Sequence, residues 1–159
     1  MLLKITAIPE KILVGKHLPM SLAENKTTAL WRGFMPYKKL IGHTLEAFLY
    51  SVQVYPEGVP FTYSSIFIKW AAVEVTEVSE IPKELEVLKI PAGLYAVFLH
   101  KGSSANFAAT MKYILDDWLP ISTYSLDSRP HFECLGAKYK NNDPSSEEEV
   151  WIPIKEKAQ

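Results

Sequence analysis

The chain carries a single cysteine, Cys134. An intrachain disulfide is therefore excluded, and so is a zinc site built from several cysteines. A lone strand thiol beside Glu133 reads as inert and suits the reducing cytoplasm. Charge of one sign is also missing. Lys and Arg number 17 against 18 Asp and Glu, a formal net charge of -1, which leaves no basic footprint for nucleic-acid phosphates. No stretch approaches the ~18 continuous apolar residues of a membrane span. The apolar start, Met1 to Ile5, is too short for a signal peptide and has no cleavage site after it. GxSxG, Walker, GxGxxG and HExxH signatures are all absent. The four histidines, His17, His43, His100 and His131, are not spaced like metal ligands. They are expected as surface or hydrogen-bonded core side chains, with no metal and no cofactor.

What is present is ordinary globular material. Of 159 residues, 48% are hydrophobic and 22% charged, which excludes a disordered chain. A chain of this length buries roughly two-thirds of its unfolded surface and needs no staple. Aromatics reach 12%, with 4 Trp and 8 Tyr, a surplus that fills cores or lines ligand pockets. One domain over residues 1–159 is expected.

Short β-rich runs bounded by Pro, Gly, Asn or Ser predict strands at 11–16, 48–55, 66–75, 93–100, 131–138 and 149–154. A helix is predicted from the Ser103-Ser104 cap. Phe107, Met111, Ile114, Leu115 and Trp118 form its apolar stripe and Pro120 stops it. A weaker helix runs over 21–35 and is stopped by Pro36. Each half thus reads strand, helix, strand, strand, and both helices end in aromatics followed by Pro. This predicts a duplicated module of roughly 75–80 residues per copy, with copies at about 1–78 and 88–156. Residues 77–91 read as a connector with room for a short edge strand. Residues 141–148 form a turn cluster, which makes the last two strands a hairpin.

Period 2 divides that hairpin into faces. Phe132 and Cys134 share one face of their strand, and His131, Glu133 and Leu135 the other. Val150, Ile152 and Ile154 oppose Glu149 and Trp151. Assigning Phe132 and the Val150 row to the helix-covered face leaves Glu133 and Trp151 together on the uncovered face. A carboxylate among aromatics suits a lipophilic cation, at about 0.5–2 kcal/mol per aromatic contact.

The runs LWRGFMPYKKLI, FLYSVQVY, GLYAVFLHKG, ILDDWLPISTYSLDSRPHFECLG and EVWIPIK resemble the gyrase-inhibitor-like superfamily. Its members include effector-binding domains of AraC-type and MerR-type regulators. The resemblance covers about residues 5–156. It is carried by His100-Lys101-Gly102, Trp118-Leu119-Pro120, Arg129-Pro130 with Phe132-Glu133, and Val150 to Ile154. It implies an α+β fold of two strand-helix-strand-strand modules related by a pseudo-two-fold axis. They share an antiparallel sheet with both helices on one side and a ligand groove between the halves. It also implies Glu133 as the charge anchor, with pocket aromatics at Tyr50, Tyr55, Trp70, Trp118 and Trp151. Tyr37 stands where many relatives have Arg, and Leu135 where an aromatic is common. The chain begins at the effector domain, so it reads as a stand-alone bacterial member without a helix-turn-helix of its own.

The function expected is binding of a lipophilic, cationic or planar small molecule, for sensing or sequestration, without direct nucleic-acid or membrane contact. A hydrolase of strained electrophilic natural products, with Glu133 as general base, is the enzymatic alternative. It lacks an evident second catalytic group. The third reading is a module for a protein partner such as a topoisomerase or regulator, or a homodimer through a strand edge. Its only acidic run, Glu147 to Glu149, reads as a solvated turn.

Overall fold

The computed structural model describes residues 1–58, 62–103, 106–140 and 143–158. In chain order the elements are β1 (Leu2–Ile8), β2 (Lys11–Met20), α1 (Thr27–Lys38), β3 (Leu49–Val54), β4 (Phe67–Val75), β5 (Glu86–Ile90) and β6 (Gly93–Lys101). Then come α2 (Phe107–Lys112), a π-helical segment (Tyr113–Trp118), α3 (Leu119–Ile121), β7 (Tyr124–Leu126), β8 (His131–Leu135) and β9 (Glu147–Glu156). The strands form one antiparallel sheet in the order β1-β6-β9-β8-β3-β4-β2-β5, and β7 pairs with the far end of β9.

Two connectors force this sheet to roll up. Pro91-Ala92 joins β5, at one end of the order, to β6, six strand positions away; Pro9-Glu10 joins β1 to β2 over the same count. Laid flat, six spacings of ~4.8 Å would separate such strands by about 29 Å. Two linking residues reach only about 10 Å. The sheet therefore curls until its ends approach. Its inner face is a single apolar cluster in which Leu13, Tyr50, Trp70 and Ile90 meet Tyr95, Phe132 and Trp151. The outer face carries the helices. Leu30 and Phe34 of α1 pack on Val14, Ala71 and Val73. Ile114 packs on Ala96, Phe98, Val150 and Ile152.

Both prolines expected to stop helices sit inside helical segments. Pro36 lies in the last turn of α1, which runs to Lys38, where few backbone bonds remain to be lost. Pro120 lies one residue before the end of a helical run that continues from Phe107 through the π-helical segment to Ile121, so it removes one backbone bond but leaves almost no helix beyond it to disrupt. The helix expected from residue 21 starts at Thr27, because Lys11 to Met20 continues as one strand paired with β4. Of the expected cap pair, Ser104 lies outside the described residues. The hairpin strand ends at Leu135 and the final strand starts at Glu147, so the acidic run is strand rather than turn. No helix among the described residues is long and apolar enough to cross a membrane.

Arg129 ties this frame together. Its guanidinium donates to the carbonyls of Leu94 (2.8 Å) and Ile154 (2.9 Å) and lies 4.7 Å from the Tyr95 ring centre. Only a glycine fits beside it, since a Cβ at Gly93 would lie 2.3 Å from Cζ of Arg129. Arg129→Met is expected to cost about 2–4 kcal/mol, because charge-assisted bonds to two strand carbonyls are lost. Urea unfolding measures this; an unchanged midpoint would show that the bonds carry no stability.

Candidate functional site

The two helices leave the middle of the outer face, over β3 and β8, to polar side chains. The alternation of β3 sends Tyr50, Val52 and Val54 to the inner cluster and leaves Leu49, Ser51 and Gln53 on the outer side. The register pairs Gln53 with His131 and Lys69, and Ser51 with Glu133 and Ala71. Glu133 in turn pairs with Val150. Two residues before Val150, Glu148 is the diagonal neighbour of Glu133 on the same face. Tyr55 joins them beyond the end of β3, with its ring 4.8 Å from His131 and 5.3 Å from Phe67.

This cluster is buried. Glu133 is 5% exposed, Ser51 5%, His131 6% and Gln53 7%. Gln53 Nε2 donates to Glu133 Oε1 at 2.9 Å and reaches Ser51 Oγ at 3.4 Å. His131 Nδ1 is buried with no hydrogen-bond partner. Burial pushes the Glu133 carboxyl up to about 8; the Glu148 charge adds to that, while Lys69 and the Gln53 and Ser51 bonds oppose it. Glu148 is pushed up to about 7 by burial, against the pull of Lys69. Burial takes His131 down to about 4. The Tyr55 hydroxyl is held above its usual range by burial and then by Glu133. Burial thus favours the neutral form of both Glu133 and His131 at neutral pH.

Beside it lies a cavity of ≈ 500 Å³ between the end of α1, the 41–48 segment and the sheet, with Leu49, Val73 and Leu135 among its lining. Leu49 and Leu135 are one same-face step, about 7 Å, from Ser51 and Glu133. A second cavity of ≈ 360 Å³, between α1 and β2 around Lys16 and Gly33, touches none of these residues.

Of the residues expected to line one pocket, the structure brings together Glu133 and Tyr55. Trp151 does not share their face. The β8–β9 register sets Phe132 opposite Trp151, and the two rings stack at 5.3 Å inside the rolled sheet. The alternation within each strand holds, but Phe132 lies on the inner face and not on the helix-covered one, because periodicity defines two faces without saying which is covered. Tyr50 also points inward, donating to Glu74 at 2.8 Å, and Trp70 packs there against His17 at 4.5 Å. Trp118 packs under the second helical segment on Phe98 at 5.0 Å. Sequence reasoning missed Ser51, Gln53, Lys69, His131 and Glu148. The polar alternation of Leu49-Tyr50-Ser51-Val52-Gln53-Val54 was a readable signal that one face of a central strand is not core. Cys134 faces inward, and burial holds its thiol protonated.

A buried acid beside a cavity of mixed polar and apolar lining, on a rolled antiparallel sheet with two helical segments outside, fits a small-molecule-binding α+β domain. The chain belongs to the GyrI-like small molecule binding domain family, whose model matches residues 1–155. It is 25% identical over 153 residues to the transcriptional regulator BrlR of Pseudomonas aeruginosa, covering 95% of this chain and 54% of that regulator. It thus spans about half the length of that curated relative. Its fold is similar to SAV2435 bound to tetraphenylphosphonium, with TM-score 0.75 and 16% identity over 96% of this chain and 93% of that one. It is also similar to EcmrR in an EcmrR–DNA complex, at TM-score 0.71 and 15% identity over 97% and 57% of the two chains. A Listeria innocua protein described as a hydrolase matches at TM-score 0.61 and 8% identity over 96% and 91%.

Proposed function

We propose that this chain binds lipophilic monocations, with Glu133 as the charge anchor, Tyr55 as an aromatic wall and the neighbouring ≈ 500 Å³ cavity, of mixed polar and apolar lining, as the approach. The observation that carries the reading is Glu133 itself, a carboxyl 5% exposed with no cationic group within ion-pair distance among the described residues. An ionised carboxylate in that setting is costly, and an entering cation removes the cost. That SAV2435 is bound to tetraphenylphosphonium adds support through a shared fold. The role would be to sense or sequester the ligand, in keeping with a regulator as curated relative.

Titrating the protein's tryptophan fluorescence with tetraphenylphosphonium and with neutral triphenylphosphine oxide tests this, with each mixture checked by mass spectrometry. Saturable quenching by the cation, with the ligand mass unchanged, is expected. Quenching by neither compound would overturn the reading in favour of a protein partner. A new product mass from an electrophilic natural product would make the protein a hydrolase.

A further inference from the structure

The outer face holds a charge balance that cation binding alone does not use. Two carboxyl groups, Glu133 of β8 and Glu148 of β9, are diagonal neighbours there. One ammonium, Lys69 of β4, acts on both. It lies in the row of Gln53 and His131, one row from Glu133. The other titratable groups around Glu133 are His131 on its own strand, Tyr55 beyond β3 and Tyr139 after β8. Burial keeps His131 neutral and raises both tyrosine hydroxyls. With both carboxyls ionised the three groups Glu133, Glu148 and Lys69, of which Glu133 is the buried one, would carry one net negative charge. With one proton retained they are neutral overall.

We propose that a monocationic ligand enters this site in exchange for one proton, because Lys69 already balances one of the two carboxyl groups that share its face. The inference rests on the ligand reading above. The exchange balances: a cation plus the carboxylic acid give the carboxylate–cation pair and one proton, taken up by buffer. No bond other than O–H breaks. Lys69 is then a positioning residue, a resident counter-ion that sets the pH at which exchange stops. Burial of the Glu133 carboxyl, which resists ionisation until about pH 8, supports the scheme.

The experiment is calorimetric titration with tetraphenylphosphonium, whose own charge does not change with pH, from pH 6 to 10. At each pH it is run in two buffers of different ionisation enthalpy. Affinity is expected to rise about tenfold per pH unit below pH 7.5, the signature of one proton per ligand, and to level off above the Glu133 transition. The heat difference between buffers should report about one proton released at pH 7.5, between the Glu148 and Glu133 transitions, and none at pH 10. Lys69→Gln should move the levelling-off to higher pH, whereas a purely structural lysine would lower affinity at every pH without moving it. Tight binding with no pH slope and no buffer dependence would overturn the exchange and leave the ligand reading standing. Absence of binding at every pH would remove both.

Discussion

Glu133→Gln is expected to weaken tetraphenylphosphonium about 30- to 150-fold at pH 8.5, while neutral triphenylphosphine oxide changes less than about threefold. Losing a buried charge partner costs about 2–3 kcal/mol, at the lower end of measured truncations. Glutamine keeps the shape and a carbonyl to accept from Gln53 Nε2, so the pocket keeps its volume and only the charge is lost. Equal loss for both ligands would eliminate Glu133 as the charge anchor. The same variant tests the burial argument without ligand. The Glu133 carboxyl ionises at about 4.5 in the unfolded chain but near 8 when folded. Its raised folded value means that its contribution to stability is complete below pH 4.5 and is lost as pH rises towards 8. Wild type should therefore lose stability between pH 6 and 8.5 more steeply than the glutamine variant. Parallel pH profiles would show that Glu133 is solvated.

Gly15→Ala is expected to be among the most destabilising single-methyl additions in the chain. A Cβ at Gly15 would lie 2.0 Å from the Ala71 carbonyl oxygen and 2.7 Å from Ala72 Cα. Both are backbone atoms of the adjacent β4, so no side chain can swing aside. The cost should reach or pass the top of the usual range of about 1–3 kcal/mol for overpacking, and lower Tm by roughly 10 °C. Gly33→Ala is the internal control. It sits in α1 and its Cβ would meet only Lys16 side-chain atoms at 3.9 Å or more. Alanine is the better helix former by up to about 1 kcal/mol, so Tm should rise. Thermal unfolding of both variants decides the matter; a Gly15→Ala protein as stable as wild type would contradict the β2–β4 register.

Much of the architecture was legible because it is local. The alternation of Phe48 to Tyr55, the stripe from Phe107 to Trp118 and the turn residues between them carry their own periods; each expected strand formed, though β2 and β9 run longer than expected and β8 ends at Leu135, and the stripe became α-helix followed by π-helix. The prolines misled because their effect depends on position within a turn. Pro36 and Pro120 each lie within two residues of the end of a helical run, so each removes one backbone bond but has almost no helix beyond it to break. The strand Leu2–Ile8 has no clear signal of its own in the sequence. It is half exposed and draws its order from pairing with β6.

The candidate site divides in the same way. By itself the sequence determined that Glu133 and Phe132 point to opposite faces, since a strand's period of 2 is a property of the backbone. It also determined that no cysteine pair exists. Only the tertiary structure decided which face is which. Phase between strands comes from register, and register here answers to the two-residue connectors that roll the sheet. That rolling takes Tyr50, Trp70, Phe132 and Trp151 inside. It leaves Glu133 outside with Gln53, Ser51 and His131, in the gap between the helices. Lys69 and Glu148 are 64 and 15 residues from Glu133 along the chain, so only pairing across the sheet brings their charges to bear on it.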